Sequence, residues 1–216
     1  MCDSVDGCTG IEHGCGVTPS AMPKTKLISV DIEATGPVPG QYSMVSVGAW
    51  VIGEPGHTFY AELKPVTEQF DKRALAVAMP GRTHASLFQS GEDPGIVMER
   101  FTAWVENVRE GDRYEPVFLA HNAPFDWMFV AWYMWRFVGR NPFGWSALDM
   151  RAYFMALSGN DWQRTRLEDM KKVFKEKRSH KHHALEDAIE QGQLFERMLQ
   201  ERRSDAGSQK PRGQGT

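Results

Sequence analysis

Three short stretches concentrate the groups in this chain that can do chemistry. DIEATG, residues 31–36, sets Asp31 and Glu33 two positions apart; HNAPFD, 121–126, ends on Asp126; HHALEDA, 182–188, puts a histidine pair ahead of Asp187. Four carboxylates are hard oxygen ligands, and such a set suits two Mg2+ or Mn2+ ions about 4 Å apart, which clamp the attacking and leaving oxygens of a phosphodiester. A histidine beside them titrates near neutral pH and can take the proton of an attacking water. Each stretch alone also has a plainer reading. Asp31 and Glu33 could be surface acids on an edge strand, Asp126 a first-turn acid favoured by the helix dipole, and the histidines a pair in a loop.

The elements around these residues decide whether they can meet. Residues from about 24 to 64 read as three strands, KLISVDIEA, MVSVGAWVI and HTFYAEL, joined by the turn material PVPGQYS and GEPG. Links this short suit antiparallel neighbours. In a strand, positions i and i+2 share a face, so Asp31 and Glu33 point together while Ile32 points away. Ile96, Val97, Phe101, Trp104, Val105 and Val108 recur at helical spacing, with Asp93 as cap and Pro94 in the first turn. PVFLA, 116–120, reads as a buried central strand, and NAPFDWMFVAWYMWRFV as the helix after it, with Asn122 as its cap, Pro124 in its first turn and Asp126 one turn in. Ligands gather outside the C-terminal ends of such strands, so Asp126 reaches Asp31 if the two strands are parallel neighbours. GWSALDM, 144–150, is a weaker strand leading into a helix through Leu157, and a last helix runs from near Ala184 to Arg203. Strands first, then alternation, predict an α/β mixed sheet with helices packed on it.

Composition bounds the rest. At 216 residues and 41% hydrophobic, the chain fits one domain with loose ends: tails over 1–23 and 204–216 around a domain at 24–203. A net charge of −3 excludes a global basic field, so nucleic-acid affinity needs a local patch. No run approaches the roughly 18 apolar residues of a membrane helix, and the start lacks a signal-peptide pattern, so the expected location is cytoplasmic, without membrane partners. Cys2, Cys8 and Cys15 precede Lys24; their spacing with His13 fits no common zinc site, and free thiols in a tail are the simpler reading.

Jointly and in order, DIEATG, HNAPFD and HHALEDA resemble the motifs of the DEDD 3′-to-5′ exonucleases of the ribonuclease-H-like fold, in the version with a histidine in the third motif (DEDDh). Proofreading subunits of bacterial replicative polymerases, ribonuclease T and oligoribonuclease belong to that family. The resemblance spans roughly residues 25 to 200. It implies a ribonuclease-H-like sheet and hydrolysis at the 3′ end of single-stranded DNA or RNA, releasing nucleoside 5′-monophosphates. It also implies that Asp31, Glu33, Asp126 and Asp187 are ligands of two divalent cations and that His182, five before Asp187, is the general base. The backbone near Thr35 and Gly36 and the side chain of Asn122 would hold the terminal nucleotide, with Phe125 packed under the site and Tyr42 or Met44 stacking on the last base. Some relatives are dimers, which makes a homodimer an expectation here. A non-catalytic nucleic-acid-binding module of the same fold would be favoured by loss of any of the four acids, and none is lost. A phosphohydrolase of another fold fits poorly with three strands before the first helix.

Three features stay open at this level. A helix already running through HHALEDA would set His183, not His182, over Asp187; the apolar pattern beginning only at Ala184 and Leu185 favours a loop histidine at 182. The stretch WMFVAWYMWRFV, 127–138, is apolar nearly all round and predicts a helix buried in the core or in a dimer contact. The basic run Arg164, Arg166, Lys171, Lys172, Lys175, Lys177, Arg178 and Lys181 is either a solvated face or a track for phosphates.

Overall fold

The computed structural model describes residues 22–176 and 182–208, with side chains through residue 202. The three cysteines and His13, Lys177, Arg178 and Lys181 of the basic run, and the last eight residues of the C-terminal tail lie outside the described residues.

Lys24–Ala34 (β1), Met44–Val51 (β2) and Thr58–Glu62 (β3) form the antiparallel meander that their β-branched and aromatic residues predict. Lys72–Ala78 (α1) and His84–Ser90 (α2) follow, then Pro94–Val108 (α3), whose cap Asp93 accepts the N–H groups of Gly95 and Ile96. Tyr114–Ala120 (β4) leads into Ala123–Phe137 (α4), and Ala147–Asp149 (β5) into Met150–Ser158 (α5). Leu167–Val173 (α6) precedes the long Ala184–Ser208 (α7). The sheet order is β3-β2-β1-β4-β5, with β4 parallel to both β1 and β5. None of the helices among the described residues is long and apolar enough to cross a membrane.

The alternation of β1 sorts its residues between two layers. Ile28, Val30 and Ile32 join Phe101, Val105, Phe129 and Tyr133 in the core under α3 and α4. Ser29, Asp31 and Glu33 take the other face, toward α7. Strand β4 is buried on both sides, which explains its unbroken apolar run: Phe118 belongs to the first core, and Leu119 packs with Met150, Phe154, Met170, Leu194, Phe195 and Met198.

Two glycines let α7 lie close on the sheet. A Cβ at Gly48 of β2 would stand 2.2 Å from the backbone of Ala184 and Leu185, and one at Gly192 would stand 2.7 Å from the Trp50 ring. The start of α7, with its acid, therefore rests directly on β2.

Helix α4 buries most of its apolar surface, in agreement with the core alternative. Phe129, Val130, Tyr133 and Met134 are inaccessible, while Trp135 is partly exposed and stacks on exposed Trp145 at 5.5 Å.

Candidate active site

Three elements bring the sequence-identified acids to one end of the sheet. β1 supplies Asp31 and Glu33, the first turn of α4 supplies Asp126, and the first turn of α7 supplies Asp187. The parallel pairing of β1 with β4 is what puts the start of α4 beside the end of β1. A hydrogen bond makes that contact specific: Asp126 Oδ1 accepts the N–H of Ile32, the residue between Asp31 and Glu33, at 3.1 Å. A register shift follows between Glu33 and Ala34.

Among the described residues, Glu33, His182 and Asp187 form a compact group. One ligand atom from each lies within 4.8 Å of the others; the two acids are buried and the histidine is exposed. Asp31 and Asp126 stand beside this group and interact through charge. Burial pushes the carboxyl of Asp31 well above the usual range, and the charges of Asp126, Glu33 and Asp187 push it further. Burial raises Asp126 as well, against the Ile32 N–H, which favours the charged form, while the charge of Asp149 adds to the rise. A cation offsets such mutual repulsion, and the donors, all carboxylate oxygens with one imidazole in reach, suit Mg2+ or Mn2+.

The two histidines before α7 are held differently. The helix begins at Ala184, and His182 is non-helical with a left-handed backbone, φ 51°. His183 turns its ring onto Tyr60 of β3, stacked at 4.5 Å and 20°. Its backbone N–H donates to Asp187 Oδ2 at 3.1 Å. His183 thus anchors the segment and orients Asp187, and the ring that reaches the acids is that of His182.

Asn122 departs from its expected capping role. It adopts a left-handed conformation, φ 60°, and its side chain makes no cap hydrogen bond. The first helical N–H, of Ala123, is taken by Asp149 Oδ2 at 2.7 Å, while Asp149 Oδ1 accepts from Ala152 at 2.7 Å. One carboxylate 26 residues away in sequence therefore serves the starts of both α4 and α5. Thr35 commits its groups internally: its N–H donates to the Ser43 carbonyl at 2.8 Å and its hydroxyl accepts the Ser43 N–H at 2.9 Å. Gly36 lies under the Tyr42 ring, where a Cβ would come within 2.2 Å. Met44 is inaccessible in the core, which removes it as a base-stacking residue and leaves half-buried Tyr42. Phe125 is half-buried and packs on Phe129 at 5.3 Å.

A cavity of about 350 Å³ opens on Asp31 and Asp187 and is walled by His121, Arg166, Leu167, Glu168, Lys171 and Gln191. The basic run divides here. Lys171 is nearly buried in an ion pair with Glu190 at 2.8 Å, whereas Arg166, Lys172 and Lys175 are exposed. Residues that sequence reasoning passed over include Gln191, Asp149 and, in the wall of this cavity, Leu167 and Glu168. Asp149 stands at the end of a strand and the start of a helix, a position from which a capping role was legible.

A family model described as the 3′-5′ exoribonuclease Rv2179c-like domain matches residues 26–199. The 3′-5′ DNA exonuclease Cap18 of Escherichia coli is 40% identical over 172 residues, covering 80% of this chain and 90% of that protein. Among solved structures, the nuclease domain of 3′hExo, a DEDDh family member bound to rAMP, superposes with a TM-score of 0.66 at 16% identity over 82% of this chain and 92% of its own. Escherichia coli Exonuclease I in complex with a dT13 oligonucleotide gives 0.62 at 19% identity, over 85% of this chain and 43% of its own. The chain belongs to the family of 3′-5′ exoribonuclease Rv2179c-like domains and is a 3′-5′ exonuclease.

Proposed function

We propose that this exonuclease hydrolyses the last phosphodiester at the 3′ end of a single nucleic-acid strand and releases nucleoside 5′-monophosphates. Asp31, Glu33, Asp126 and Asp187 would hold two divalent cations, Mg2+ or Mn2+. Bound there, the cations supply Lewis-acid polarisation of the phosphate and stabilisation of the leaving 3′-oxygen. His182, exposed at the edge of the cluster, takes the proton of the attacking water, and its loop position lets the ring move as substrate enters. Asn122, Thr35 and Gly36 would hold the terminal nucleotide, and Tyr42, whose ring lies against Gly36, would stack on its base. The observation that carries this reading is the convergence of Glu33, His182 and Asp187 within 4.8 Å from two separate parts of the chain.

The relatives named above act on or hold DNA in some cases and RNA in others, so both belong in the test. Matched end-labelled DNA and RNA oligonucleotides, single- and double-stranded, are incubated with Mg2+, Mn2+ or chelator. Stepwise shortening from the 3′ end with 5′-monophosphate products, dependent on added metal, is the expected result. Activity that survives chelation, or products carrying a 3′-phosphate, would overturn it.

A further inference from the structure

Helix α7 brings to the site one side chain that the acids and the histidine leave unexplained. Gln191 stands four residues after Asp187, one turn further along the same face, and is 3% exposed. Its amide is used at both ends: Nε2 donates to the carbonyl of Val30 at 2.7 Å, and Oε1 accepts the N–H of His121 at 2.7 Å. Val30 immediately precedes Asp31. His121 immediately follows β4 and leads through Asn122 into the turn that carries Asp126.

The pairing of β1 with β4 ends at Ser29 opposite Leu119. One step beyond, the Gln191 amide, with the same donor and acceptor as a peptide group, stands between the Val30 carbonyl and the His121 N–H. It extends the ladder as a side-chain rung while the backbones diverge around the acids. Only a residue with both a donor and an acceptor serves here. Methionine of similar length takes the partner from both backbone groups, the Val30 carbonyl being buried and the His121 N–H partly so, and glutamate loses the donor and adds a fifth negative charge.

We infer that Gln191 is a positioning residue that fixes the spacing of the three acid-bearing segments and so preforms the cation site. The inference rests on the reading of Asp31, Glu33, Asp126 and Asp187 as metal ligands. Groups that orient ligands in this way typically contribute about 10- to 100-fold to metal affinity or activity.

The test measures Mn2+ binding by electron paramagnetic resonance without nucleic acid, beside melting temperature, kcat and KM. Gln191→Met is expected to raise the half-saturating Mn2+ concentration about 10- to 100-fold and lower kcat, with KM for the oligonucleotide unchanged at saturating metal. Gln191→Asn, one methylene shorter, keeps one of the two bonds and should show a smaller rise; it decides the matter if the methionine variant does not fold. Leu194→Ala, in the core packed beneath α7, serves as the control for lost packing and should melt lower with Mn2+ binding intact. Wild-type Mn2+ binding in the folded Gln191 variants overturns the inference, as does an equal weakening in Leu194→Ala. A wild-type protein that binds no Mn2+ overturns the metal-ligand reading itself.

Discussion

Asp126→Asn should move activity and stability in opposite directions. The amide keeps the shape of the side chain, and its carbonyl can still accept the Ile32 N–H that now bonds Asp126 Oδ1 at 3.1 Å. What is lost is one anionic ligand. If the cations supply several kcal/mol to the transition state, turnover should fall by about 10²- to 10⁴-fold. What is gained is relief from repulsion: two unit charges about 5 Å apart at an effective dielectric of about 20 repel by about 3 kcal/mol, and water beside half-buried Asp31 reduces this to about 1–2 kcal/mol. Asp31 and Asp126 both have pKa values raised in the fold, so the stability tied to their protonated forms is complete below the ordinary carboxylate range and is lost as pH rises through the raised values. The metal-free wild type should therefore melt lower near pH 8 than near pH 5. The variant should melt about 3–6 °C above wild type near pH 8 and close to it near pH 5. The assays are turnover on an end-labelled oligonucleotide with Mn2+ and thermal melting in chelator at both pH values. Near wild-type turnover, or a lower melting temperature near pH 8, would refute the assignment.

Three further outcomes follow from the same geometry. His182→Ala should cost about 10²- to 10⁴-fold in turnover with substrate binding kept, whereas His183→Ala, which loses only the stack on Tyr60 and keeps the backbone bond to Asp187, should cost far less; steady-state kinetics of both variants decide which ring acts. Lys171→Ala removes the 2.8 Å ion pair with Glu190, so denaturant unfolding should show a loss of about 0.5–3 kcal/mol, while Lys172→Ala with Lys175→Ala should leave stability unchanged and flatten the salt dependence of binding to long strands. Gly48→Ala forces a Cβ into the backbone at Ala184 and Leu185, so it should lower both melting temperature and turnover; wild-type values for both would mean that α7 is not seated as described.

The parts of this site that were legible in sequence are those fixed by local rules. The period-2 pattern of β1 placed Asp31 and Glu33 on one face, the Asp93-Pro94 pair marked the start of α3, and the late onset of apolar spacing put His182 ahead of a helix that does begin at Ala184. Helices α1 and α2 are not legible in the sequence, because each has seven residues, fewer than two full turns, and a 3.6-residue period needs more length to show. The misreading of Asn122 has a different origin. Its residue type and its place before Pro124 fit a cap, but its backbone is left-handed and its side chain makes no cap bond; the side chain at the helix start is that of Asp149, which accepts the Ala123 N–H and reaches it only because β5 pairs with β4. Gln191 was illegible for the same reason. In the run EDAIEQGQLFE it looks like any polar helix residue, and nothing local distinguishes it from Gln193. Its role exists only once β1 and β4 lie parallel and separate at Val30 and His121, so that a backbone donor and a backbone acceptor face one buried amide. Ligands of a cation site announce themselves by charge at the ends of elements; the neutral groups that set their spacing are visible only after the chain has been folded around them.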